Sequence, residues 1–595
     1  MNILAIQEGH TSTAALTVDG EIVGCVSEER FLREKNFEGY PRNSINYLLS
    51  LVNKKIDRVV LCGLLSPGLC IVGREHTFSV LDHIKQQNNQ FYPIFYENKN
   101  PIKAQKDFFL QMIKEKGRKL KDTQFNFNKN FKFTCDPKID NPSFIKVRID
   151  TISNHLGISK DKISLIDHHL GHVNYAYYAS PFRNKDCVIV TADGDGDYGI
   201  NATVSIEKNN NIHEIFRTDN QPIARLWRYF TLMLGMKPQQ HEYKVMGMAP
   251  YADPYITRYV YEELSKHFDV ENLKFKYLKK PQDLYFYFKN LFHGVRFDGL
   301  AGGLQLWTEK MLEKWIKNIL KKTKMSHLVF SGGLAMNIKA MKVIANIPQI
   351  KNLYVAPSGG DESLPIGGCY YYSKKFKTPK PLSNIYLGPK YTTRIILKKL
   401  KKDKIKKNFK IKTNIGATQI AKFLKEGKTI ARFYGRMEFG ARALGNRSIL
   451  ADPSKFELIR KINLQIKKRD FWMPFTPIIL KEREKDYIIN PKNISSPYMT
   501  VAFDTTNLGK NHFSGAIHPY DQTIRPQILE KNNNPKLYKI IKSFEKMTGI
   551  GGLLNTSFNL HGEPIVNSPE DALHTLVNSD LDMLYFNDDV LLIRK

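Results

Sequence analysis

Apolar runs separated by polar turns predict strands near the start of the chain. Residues 3–6, 14–18 and 21–27 are largely apolar. A polar stretch at 8–12 and an Asp19-Gly20 turn separate these runs. Such an order is typical of one strand followed by a β-hairpin.

The same order occurs again later in the chain. Its apolar runs are 187–192, 201–206 and 212–216, and the polar glycine loop 193–197 follows the first of them. A strand, a polar loop and a hairpin therefore occur twice. Two such units facing each other across a cleft are typical of the actin/hexokinase (ASKHA) type of fold. We therefore predict a duplicated α/β domain in the N-terminal part of the chain.

Helical periodicity and a change of composition predict the domain boundaries. Apolar faces repeat with helical spacing at 222–234 and 303–322. A strand at 327–330, Gly332-Gly333 and a helix at 334–344 follow, and such a turn can bind an anion through its backbone N–H groups. The Pro/Lys-rich stretch 374–389 resembles a linker. We predict an N-terminal domain at 1–378, with halves of about 1–186 and 187–378, and an α/β domain at 384–595.

Composition and charge exclude several classes of protein. The chain has 595 residues, of which 42% are hydrophobic and 25% charged, so it is neither a disordered nor a fibrous protein. The net charge of +32 permits a nucleic-acid or membrane partner. We favour a compositional bias instead, because the lysines are scattered and no aromatic residues alternate with them in a basic motif. No nucleic acid and no membrane is therefore expected as a partner.

The cysteines and the N-terminal residues predict a cytoplasmic location. No two cysteines form a CxxC pair, so a zinc ribbon or a disulfide scaffold is not expected. The first ten residues, MNILAIQEGH, lack the features of a secretory leader. The six cysteines are Cys25, Cys62, Cys70, Cys135, Cys187 and Cys369.

The segment Asp167-His168-His169-Leu170-Gly171-His172 predicts a metal site. On a helix, His168 and His172 would share one face, at a spacing that one ion can bridge. The alternative is a pair of structural histidines. Asp193 and Asp361, in polar glycine loops, could complete the site. Two imidazoles and two carboxylates suit Fe(II), Mn(II) or Zn(II).

Arginines among small residues in the C-terminal part predict an anion site. The stretch 435–448 contains Arg436, Arg442 and Arg447, and Lys467, Lys468 and Arg469 follow it. Arginine forks bind phosphate or carboxylate groups in a bidentate manner. Surface charge is the alternative, and it explains lysine runs better than arginines beside Gly, Ala and Leu. The chain contains no GxxxxGK[ST] and no GxSxG motif.

Several motifs together resemble those of the O-carbamoyltransferases that include the nodulation-factor, cephem and aminoglycoside enzymes. The motifs span most of the chain, and only about 75–145 is poorly covered; we interpret about 75–141 as an insertion without an assigned function. They are EGHTSTAALTVDGEIVGCVSEERFLREKN, DHHLGHVNYAYYAS, HEYKVMGMAPYA, SGGLAMNIKAM, GRMEFGARALGNRSILADP, MPFTPIIL and LLNTSFNLHGEPIVNSPEDAL.

The resemblance implies a two-step reaction on two domains. The C-terminal domain would be similar to YrdC, a twisted α/β fold, and would form carbamoyl adenylate from carbamoyl phosphate and ATP. The N-terminal domain would be similar to tRNA threonylcarbamoyl transferases, and would pass the carbamoyl group to a hydroxyl with release of AMP. The expected acceptor is a glycan or a glycosylated small molecule, and the resemblance leaves room for a homodimer.

The resemblance also implies site residues. It places iron, with Mn or Zn as alternatives, on His168, His172, Asp193 and Asp361. It places His10 beside the carbamoyl group, where a neutral imidazole would accept the hydroxyl proton. The implied nucleotide loop is Gly332, Gly333 and Asn337, and the implied contacts to carbamoyl phosphate and ATP are Arg442, Lys467, Arg525, Asn555 and Ser557.

Two positions depart from the family pattern. Thr11 stands where an acid usually follows the histidine, and Met473 stands where a cation is frequent. Lys468 or Arg469 are the candidates to replace that cation. Two other functions are considered: a tRNA-modifying enzyme that uses bicarbonate and threonine, and a non-catalytic actin-like nucleotide-binding protein.

Overall fold

The computed structural model describes residues 1–53, 55–65, 75–116, 133–209, 211–402 and 404–595. These residues form two compact units. The first consists of Met1–Glu28, Asn36–Lys351 and Gly359–Leu382, and the second of Glu29–Lys35, Asn352–Ser358 and Ser383–Lys595. The last segment of the first unit ends at Leu382, and the expected boundary lay between 378 and 384. The two short segments that belong to the second unit were not expected.

The strands and helices alternate along both units. The strands are β1 (Asn2–Gln7), β2 (Thr13–Val18), β3 (Glu21–Ser27), β4 (Arg58–Cys62), β5 (Ile163–Ile166), β6 (Cys187–Ala192), β7 (Ala202–Lys208), β8 (Asn211–Thr218), β9 (Phe268–Glu271), β10 (Lys274–Tyr277), β11 (His327–Ser331), β12 (Asn352–Val355), β13 (Phe409–Lys412), β14 (Ile430–Phe433), β15 (Arg447–Ala451), β16 (Thr476–Leu480), β17 (Ile488–Ile489), β18 (Asp504–Thr505), β19 (Gln527–Leu529), β20 (Gly552–Ser557), β21 (Met583–Phe586) and β22 (Val590–Arg594). The helices are α1 (Glu29–Leu32), α2 (Arg42–Ser50), α3 (Val80–Gln86), α4 (Tyr92–Tyr96), α5 (Pro101–Lys116), α6 (Pro137–Leu156), α7 (His168–Ala179), α8 (Ile223–Met233), α9 (Glu242–Met248), α10 (Pro254–Ser265), α11 (Phe286–Leu291), α12 (Phe297–Thr323), α13 (Ile338–Asn346), α14 (Leu364–Ser373), α15 (Thr393–Lys402), α16 (Ala417–Lys425), α17 (Phe456–Lys461), α18 (Glu484–Tyr487), α19 (Asn507–His512), α20 (Pro535–Thr548) and α21 (Pro569–Val577).

The first unit contains two sheets with the same topology. In one sheet the order is β3-β2-β1-β4-β5, with the first three strands antiparallel and β4 parallel to β1. In the other, the strands that belong to the first unit have the order β11-β6-β7-β8, with β6, β7 and β8 antiparallel and β11 parallel to β6. The predicted duplicated actin/hexokinase-like α/β fold is therefore confirmed.

Two buried helices join these sheets. α7 packs on β6 and β11, whereas α14 packs on β1, β2 and β4, and the two helices pack against each other. Both helices are buried on nearly all sides, as expected for helices inside a layered core. Their contact is made by backbone atoms, because a Cβ atom at Gly367 would lie 1.9 Å from the carbonyl oxygen of Gly171.

The predicted helix at 334–344 is interrupted in the structure. A 3₁₀ turn, Gly333–Met336, precedes α13, and Asn337 separates the two with φ −79° and ψ 86°. Asn337 caps α13, since its side-chain oxygen accepts a hydrogen bond from the N–H of Ala340 at 3.0 Å. α13 therefore begins later than the sequence predicted.

The second unit is an α/β unit built on a mixed sheet of eight strands. The strand order is β13-β22-β21-β14-β15-β20-β16-β19. β14 runs parallel to β21, whereas β15 is antiparallel to both β14 and β20. α16 packs against α20. The similarity of this unit to YrdC stays a prediction.

A segment from the N-terminal sequence, Glu29–Lys35, completes the second unit. One guanidinium nitrogen of Arg30 donates a hydrogen bond to the carbonyl oxygen of Gly440 at 2.8 Å. Arg33 donates to the carbonyl oxygens of Ile565 and Pro564, both at 2.8 Å. These contacts are local to the second unit, so its fold depends on residues that precede most of the first unit in the chain.

Other sequence expectations can be compared with the described residues. The region 75–141 is helical where it is described, at α3, α4, α5 and the start of α6. Cys70 lies outside the described residues, and the other five cysteines are buried and unbridged. Among the described residues, every helix is too short or too polar to cross a membrane.

The backbone contact between α7 and α14 can be tested with Gly367→Ala. The new methyl group has no space, so we expect a loss of about 2–3 kcal/mol of stability. Gly416→Ala is the matched control, because no atom lies within 4 Å of a Cβ built there. Urea unfolding followed by far-UV circular dichroism measures both variants. Equal midpoints for the two variants would contradict the tight contact.

Candidate functional site

The start of α7 supplies the first half of a site in the first unit. α7 follows β5 directly, and Asp167 caps it by accepting a hydrogen bond from the N–H of Leu170 at 2.9 Å. His168 and His172 are four residues apart, so their rings lie on one helical face with centroids 4.9 Å apart. Asp197 accepts a hydrogen bond from the N–H of His168 at 2.7 Å.

Two carboxylates at the ends of other elements complete the cluster. Asp193 follows β6, and its Oδ2 lies 3.2 Å from Nε2 of His172 and 3.8 Å from Nε2 of His168. Asp361 begins the turn before α14, and its Oδ1 lies 3.7 and 3.8 Å from the same two nitrogens. One ligand atom from each of the four residues lies within 4.8 Å of the others. The four predicted metal ligands are thus brought together.

This set of donors fits a divalent metal ion. Nε2 of His168 and Nε2 of His172 are buried and make no hydrogen bond to any described residue, although both point to carboxylate oxygens. Buried polar atoms without partners are rare and call for a ligand. Two nitrogen and two oxygen donors suit Fe(II), Mn(II) or Zn(II) better than a thiolate-binding metal site. The other imidazole nitrogen of His172 lies 3.4 Å from the hydroxyl of Ser331, which orients the ring.

The charges of the cluster are strongly coupled. Burial alone would lower the pKa of His168, but the carboxylates of Asp361 and Asp193 outweigh it and raise this pKa to about 9. The pKa of His172 is raised in the same way, against burial, by the nearby carboxylates of Asp193 and Asp361. The two imidazoles hold the pKa of Asp193 well below its ordinary value although burial acts to raise it.

His169 belongs to the same helix but not to the cluster. Its Nδ1 lies 2.8 Å from the hydroxyl of Thr191 and its Nε2 lies 3.0 Å from the carbonyl oxygen of Ile200. Burial, followed by the charges of His168 and His172, lowers the pKa of His169 to about 3. Both ring nitrogens are already engaged, so His169 is not available as a metal ligand.

The predicted glycine loop lies beside Asp193. Gly332 has φ +92°, and a Cβ atom there would lie 2.2 Å from the carbonyl oxygen of Ala192. The N–H of Gly333 donates to Asp193 Oδ2 at 3.0 Å. Asn337 is occupied as the cap of α13, and it also forms a reciprocal amide pair with Gln305 at 3.0 and 3.1 Å. A nucleotide contact by these residues stays a prediction.

His10 lies in the loop after β1, near a carboxylate that the sequence did not predict. Its Nδ1 is 3.8 Å from Oε1 of Glu38. Burial acts to lower the pKa of His10, but Glu38, Asp361 and Glu362 outweigh it and raise this pKa to about 9. The surroundings therefore favour the imidazolium form, in contrast to the neutral ring expected from the ordinary pKa. Thr11 supplies no acid here, whereas Glu38 does.

The second unit buries Lys467 close to other cationic side chains. The ammonium group of Lys467 is buried and donates hydrogen bonds to Ser557 and Asn559, including one to Asn559 Oδ1 at 2.6 Å. Burial, followed by the charges of Arg469 and Lys35, lowers the pKa of Lys467 well below its ordinary value. No carboxylate among the described residues forms an ion pair with Lys467. A bound anion would therefore offset the free-energy cost of burying its positive charge.

Arg525 lies in the same cluster of positive charge. Its Nε is buried and has no hydrogen-bond partner among the described residues. Burial and the nearby charges of Arg442 and Arg469 lower the pKa of Arg525 well below its ordinary value. Asn555 on β20 donates to the carbonyl oxygen of Ala443 at 2.7 Å. The structure therefore gathers the five residues predicted to bind carbamoyl phosphate and ATP in one region of the second unit, although their role stays a prediction.

Two of the three arginines in 435–448 have structural roles instead. Arg436 donates to the carbonyl oxygens of Gly388 and Leu387. The guanidinium of Arg447 is buried 3.6 Å from the ring centroid of Phe433, and it donates to the carbonyl oxygen of Tyr434 at 2.7 Å. Only Arg442 of the three is close enough to affect the pKa of Arg525. Interpreting all three as ligand-binding residues was therefore wrong.

The cation missing at Met473 has a replacement nearby. Met473 is buried and Lys468 is exposed. Arg469 instead stacks on Phe475, 4.1 Å from its ring centroid, and its Nε donates to Asn463 Oδ1 at 2.7 Å. Since the charge of Arg469 reaches both Lys467 and Arg525, Arg469 is the better of the two candidates.

Sequence reasoning missed the residues that support these sites. Asp197 accepts N–H groups from His168, Leu64 and Leu65, and the pattern Asp193-Gly-Asp-Gly-Asp197 was an available signal. Glu438 accepts the N–H groups of Leu444 and Arg447 and so shapes the arginine loop. No sequence motif marks Glu38, because the residues that it contacts in the structure are distant in sequence.

Comparisons with known proteins identify the family of the chain. Residues 2–369 match the family model for the carbamoyltransferase N-terminus, and residues 421–594 match that for the carbamoyltransferase C-terminus. The chain therefore belongs to the carbamoyltransferase family, as the motifs predicted, and it is a transferase.

Relatives match nearly the full length of the chain. Uncharacterized protein MJ1051 of Methanocaldococcus jannaschii is 30% identical over 98% of both chains. Nodulation protein NolNO of Sinorhizobium fredii is 26% identical over 97% of this chain and 78% of its own. Among solved structures, component A of (R)-2-hydroxyglutaryl-CoA dehydratase from Acidaminococcus fermentans aligns with a TM-score of 0.32 and 11% identity, over 63% of this chain and 98% of its own.

The four-residue cluster can be tested by metal binding. We expect metal-free protein to bind one Zn(II) or Mn(II) per chain, and His172→Asn to weaken binding at least 100-fold because a direct ligand is lost. His169→Asn is the matched control on the same helix, and it should bind as the wild type does. Isothermal titration calorimetry and elemental analysis measure both. Equal weakening by the two substitutions would speak against a site at the cluster.

Proposed function

We propose that this chain is an ATP-dependent O-carbamoyltransferase that uses carbamoyl phosphate and passes the carbamoyl group to an alcohol. The observation that carries the proposal is the pairing of two sites in one chain. One unit contains the cluster of His168, His172, Asp193 and Asp361, with His10 nearby, and the other contains the buried cations Lys467 and Arg525 close to further positive charge. Both units match carbamoyltransferase models.

The chemistry explains why two sites are needed. The nitrogen of a carbamate donates electrons into the carbonyl group, so the group is a poor electrophile. Joining it to AMP provides a good leaving group. The reaction has three steps. Carbamoyl phosphate and water first give carbamate and phosphate, and carbamate and ATP then give carbamoyl adenylate and pyrophosphate. Finally, the adenylate and an alcohol give the O-carbamoyl product and AMP.

The second unit is suited to the adenylate-forming step. Both substrates are polyanions, and the basic side chains of Lys467 and Arg525 both lie near Arg469, with Arg442 also near Arg525. Such donors stabilise charge on phosphoryl oxygens more strongly where water is excluded. Ser557 and Asn555 add neutral donors near the same place. A bound anion would also offset the free-energy cost of burying like charges.

The first unit is suited to the transfer step. A divalent ion on His168, His172, Asp193 and Asp361, with Fe(II) proposed and Mn(II) or Zn(II) as alternatives, supplies positive charge that stabilises an anionic oxygen. Nδ1 of His10 faces Glu38, which leaves Nε2 to accept the proton of the alcohol. Because the pKa of His10 is raised to about 9, its basic form becomes more abundant, and transfer faster, as pH rises.

The proposed partner is a small molecule with a free hydroxyl, either a glycan or a glycosylated compound, in the cytoplasm. Neither a nucleic acid nor a membrane is needed for this reaction. A homodimer is compatible with it.

Pyrophosphate release tests the proposed function. Purified protein should release pyrophosphate from ATP when carbamoyl phosphate is present and not when it is omitted. Coupled enzymatic detection of pyrophosphate measures both conditions. Release that instead requires bicarbonate and threonine would indicate the tRNA-modifying alternative. Absence of any turnover of ATP by metal-loaded protein would leave the actin-like binding protein as the better account.

Lys467→Met tests the role of the second unit. This change keeps the volume of the side chain and removes the buried charge, so we expect the fold to persist while kcat/KM for pyrophosphate release falls about 100-fold or more. Lys468→Met is the matched control, because Lys468 is exposed and adjacent in sequence. Its rate should stay within about twofold of the wild type. A similar loss in both variants would contradict a specific role for Lys467.

A further inference from the structure

The backbone around His10 is clamped by a second segment of the first unit. The N–H of Ser12 donates to the carbonyl oxygen of Phe37 at 2.8 Å, and the N–H of Gly39 donates to the carbonyl oxygen of Glu8 at 2.8 Å. These two hydrogen bonds lie on either side of His10 in one segment and on either side of Glu38 in the other. Residue 38 is therefore held opposite residue 10 by backbone register, independently of the side chains.

The two side chains face each other in this register. Nδ1 of His10 lies 3.8 Å from Oε1 of Glu38, and neither atom has a hydrogen-bond partner among the described residues. The side chain of Glu38 is only 1% exposed, whereas that of His10 is 32% exposed. One edge of the imidazole thus meets a buried carboxylate while part of the ring stays accessible. Catalytic hydrogen bonds are often long without substrate and shorten when it binds.

The other oxygen of Glu38 is fixed by His76. The backbone N–H of His76 donates to Oε2 of Glu38 at 3.1 Å, and Nδ1 of His76 lies 3.5 Å from the same atom. This contact holds the carboxylate in place and leaves Oε1 directed to His10. The nearby imidazoles of His10 and His76 keep the pKa of Glu38 below its ordinary value although burial acts to raise it, so the group is a carboxylate.

Backbone strain occurs next to His10. Thr11 has φ +54°, a left-handed conformation that is unfavourable for a β-branched residue. The hydroxyl of Thr13 donates to the carbonyl oxygen of Thr11 at 2.7 Å and so supports this conformation. Strain of this kind is maintained where a side chain must be held in one direction.

We propose that Glu38 is the positioning residue of His10: its carboxylate accepts a hydrogen bond from Nδ1–H, fixes the orientation of the ring and leaves Nε2 as the proton acceptor for the reacting alcohol. This inference rests on the proposed function for the role of His10, but the position of the proton can be measured without any turnover. The two residues are distant in sequence, and the backbone clamp brings them together.

Several other charged groups also act on His10. Asp361 and Glu362, at the start of α14, raise its pKa together with Glu38, and His10 in turn acts on Glu242 in α9. Glu242 makes its own hydrogen bond, from the N–H of Gln239 at 2.6 Å to its Oε1. Glu242 is therefore a nearby carboxyl group that does not hold the ring, and it serves as a matched control.

The experiment is an NMR titration of His10 in protein labelled with ¹³C and ¹⁵N in its histidines. His10→Asn identifies the signals of His10, and the full chain is measured both metal-free and loaded with Zn(II). In the wild type, the neutral ring should carry its proton on Nδ1. A free imidazole favours the proton on Nε2, so a proton on Nδ1 indicates that Glu38 accepts a hydrogen bond from this nitrogen.

Variants separate the role of Glu38 from general electrostatics. Glu38→Gln should lower the pKa of His10 by one pH unit or more, because a carboxylate that stabilises the imidazolium is lost. Glu38→Asp, which keeps the charge with a shorter reach, should recover part of this shift. Glu242→Gln should change the pKa by less than half a unit.

The outcomes are distinguishable from those for the proposed function. A proton on Nε2 in the wild type, or equal shifts in Glu38→Gln and Glu242→Gln, overturns the role of Glu38. The wild-type measurement decides the matter even where Glu38→Gln does not fold. Wild-type protein that releases no pyrophosphate with carbamoyl phosphate and ATP refutes the proposed function, whereas it leaves the proton position unaffected.

Discussion

The first unit depends on the direct backbone contact between α7 and α14. Each helix covers a different sheet, so their contact joins the two halves of the duplicated fold. It is possible only because Gly171 and Gly367 have no side chains. The same contact sets the separation between the histidines of α7 and Asp361, which directly precedes α14. The geometry of the candidate metal cluster is thus a consequence of helix packing. A displacement of the two helices by a few tenths of an ångström at the glycines would change the distances between the ligand atoms of the cluster.

Both units bury charge that their own side chains do not balance completely. The first unit places carboxylates around imidazole nitrogens that lack hydrogen-bond partners among the described residues, and the second unit places Lys467 and Arg525 near further arginines. Proteins rarely keep such arrangements without a ligand, because each uncompensated group costs free energy. The mixed nitrogen and oxygen donors of the first cluster and the buried cations of the second are consistent with the two ligand classes proposed above, a metal cation in one unit and polyanions in the other.

Much of the architecture could be predicted from the sequence, because it depends on local periodicity. The spacing of four residues placed His168 and His172 on one helical face, and the glycine loops after strands located Asp193 and Asp361. Features that depend on distant contacts were not accessible. Glu38 reaches His10 through hydrogen bonds between 8–12 and 37–39. The directions of Arg436 and Arg447, which face carbonyl oxygens, could not be inferred from their small neighbours.

The assignment of Glu29–Lys35 to the second unit has a consequence for the order in which the protein folds. During synthesis this segment leaves the ribosome early, whereas β21 and β22, two interior strands of the large sheet, are made much later. The segment must therefore wait for more than 500 intervening residues to be synthesised before it can dock against 563–565. Contacts of such long sequence separation form slowly. The second unit is consequently completed late in synthesis, after most of the first unit has been made.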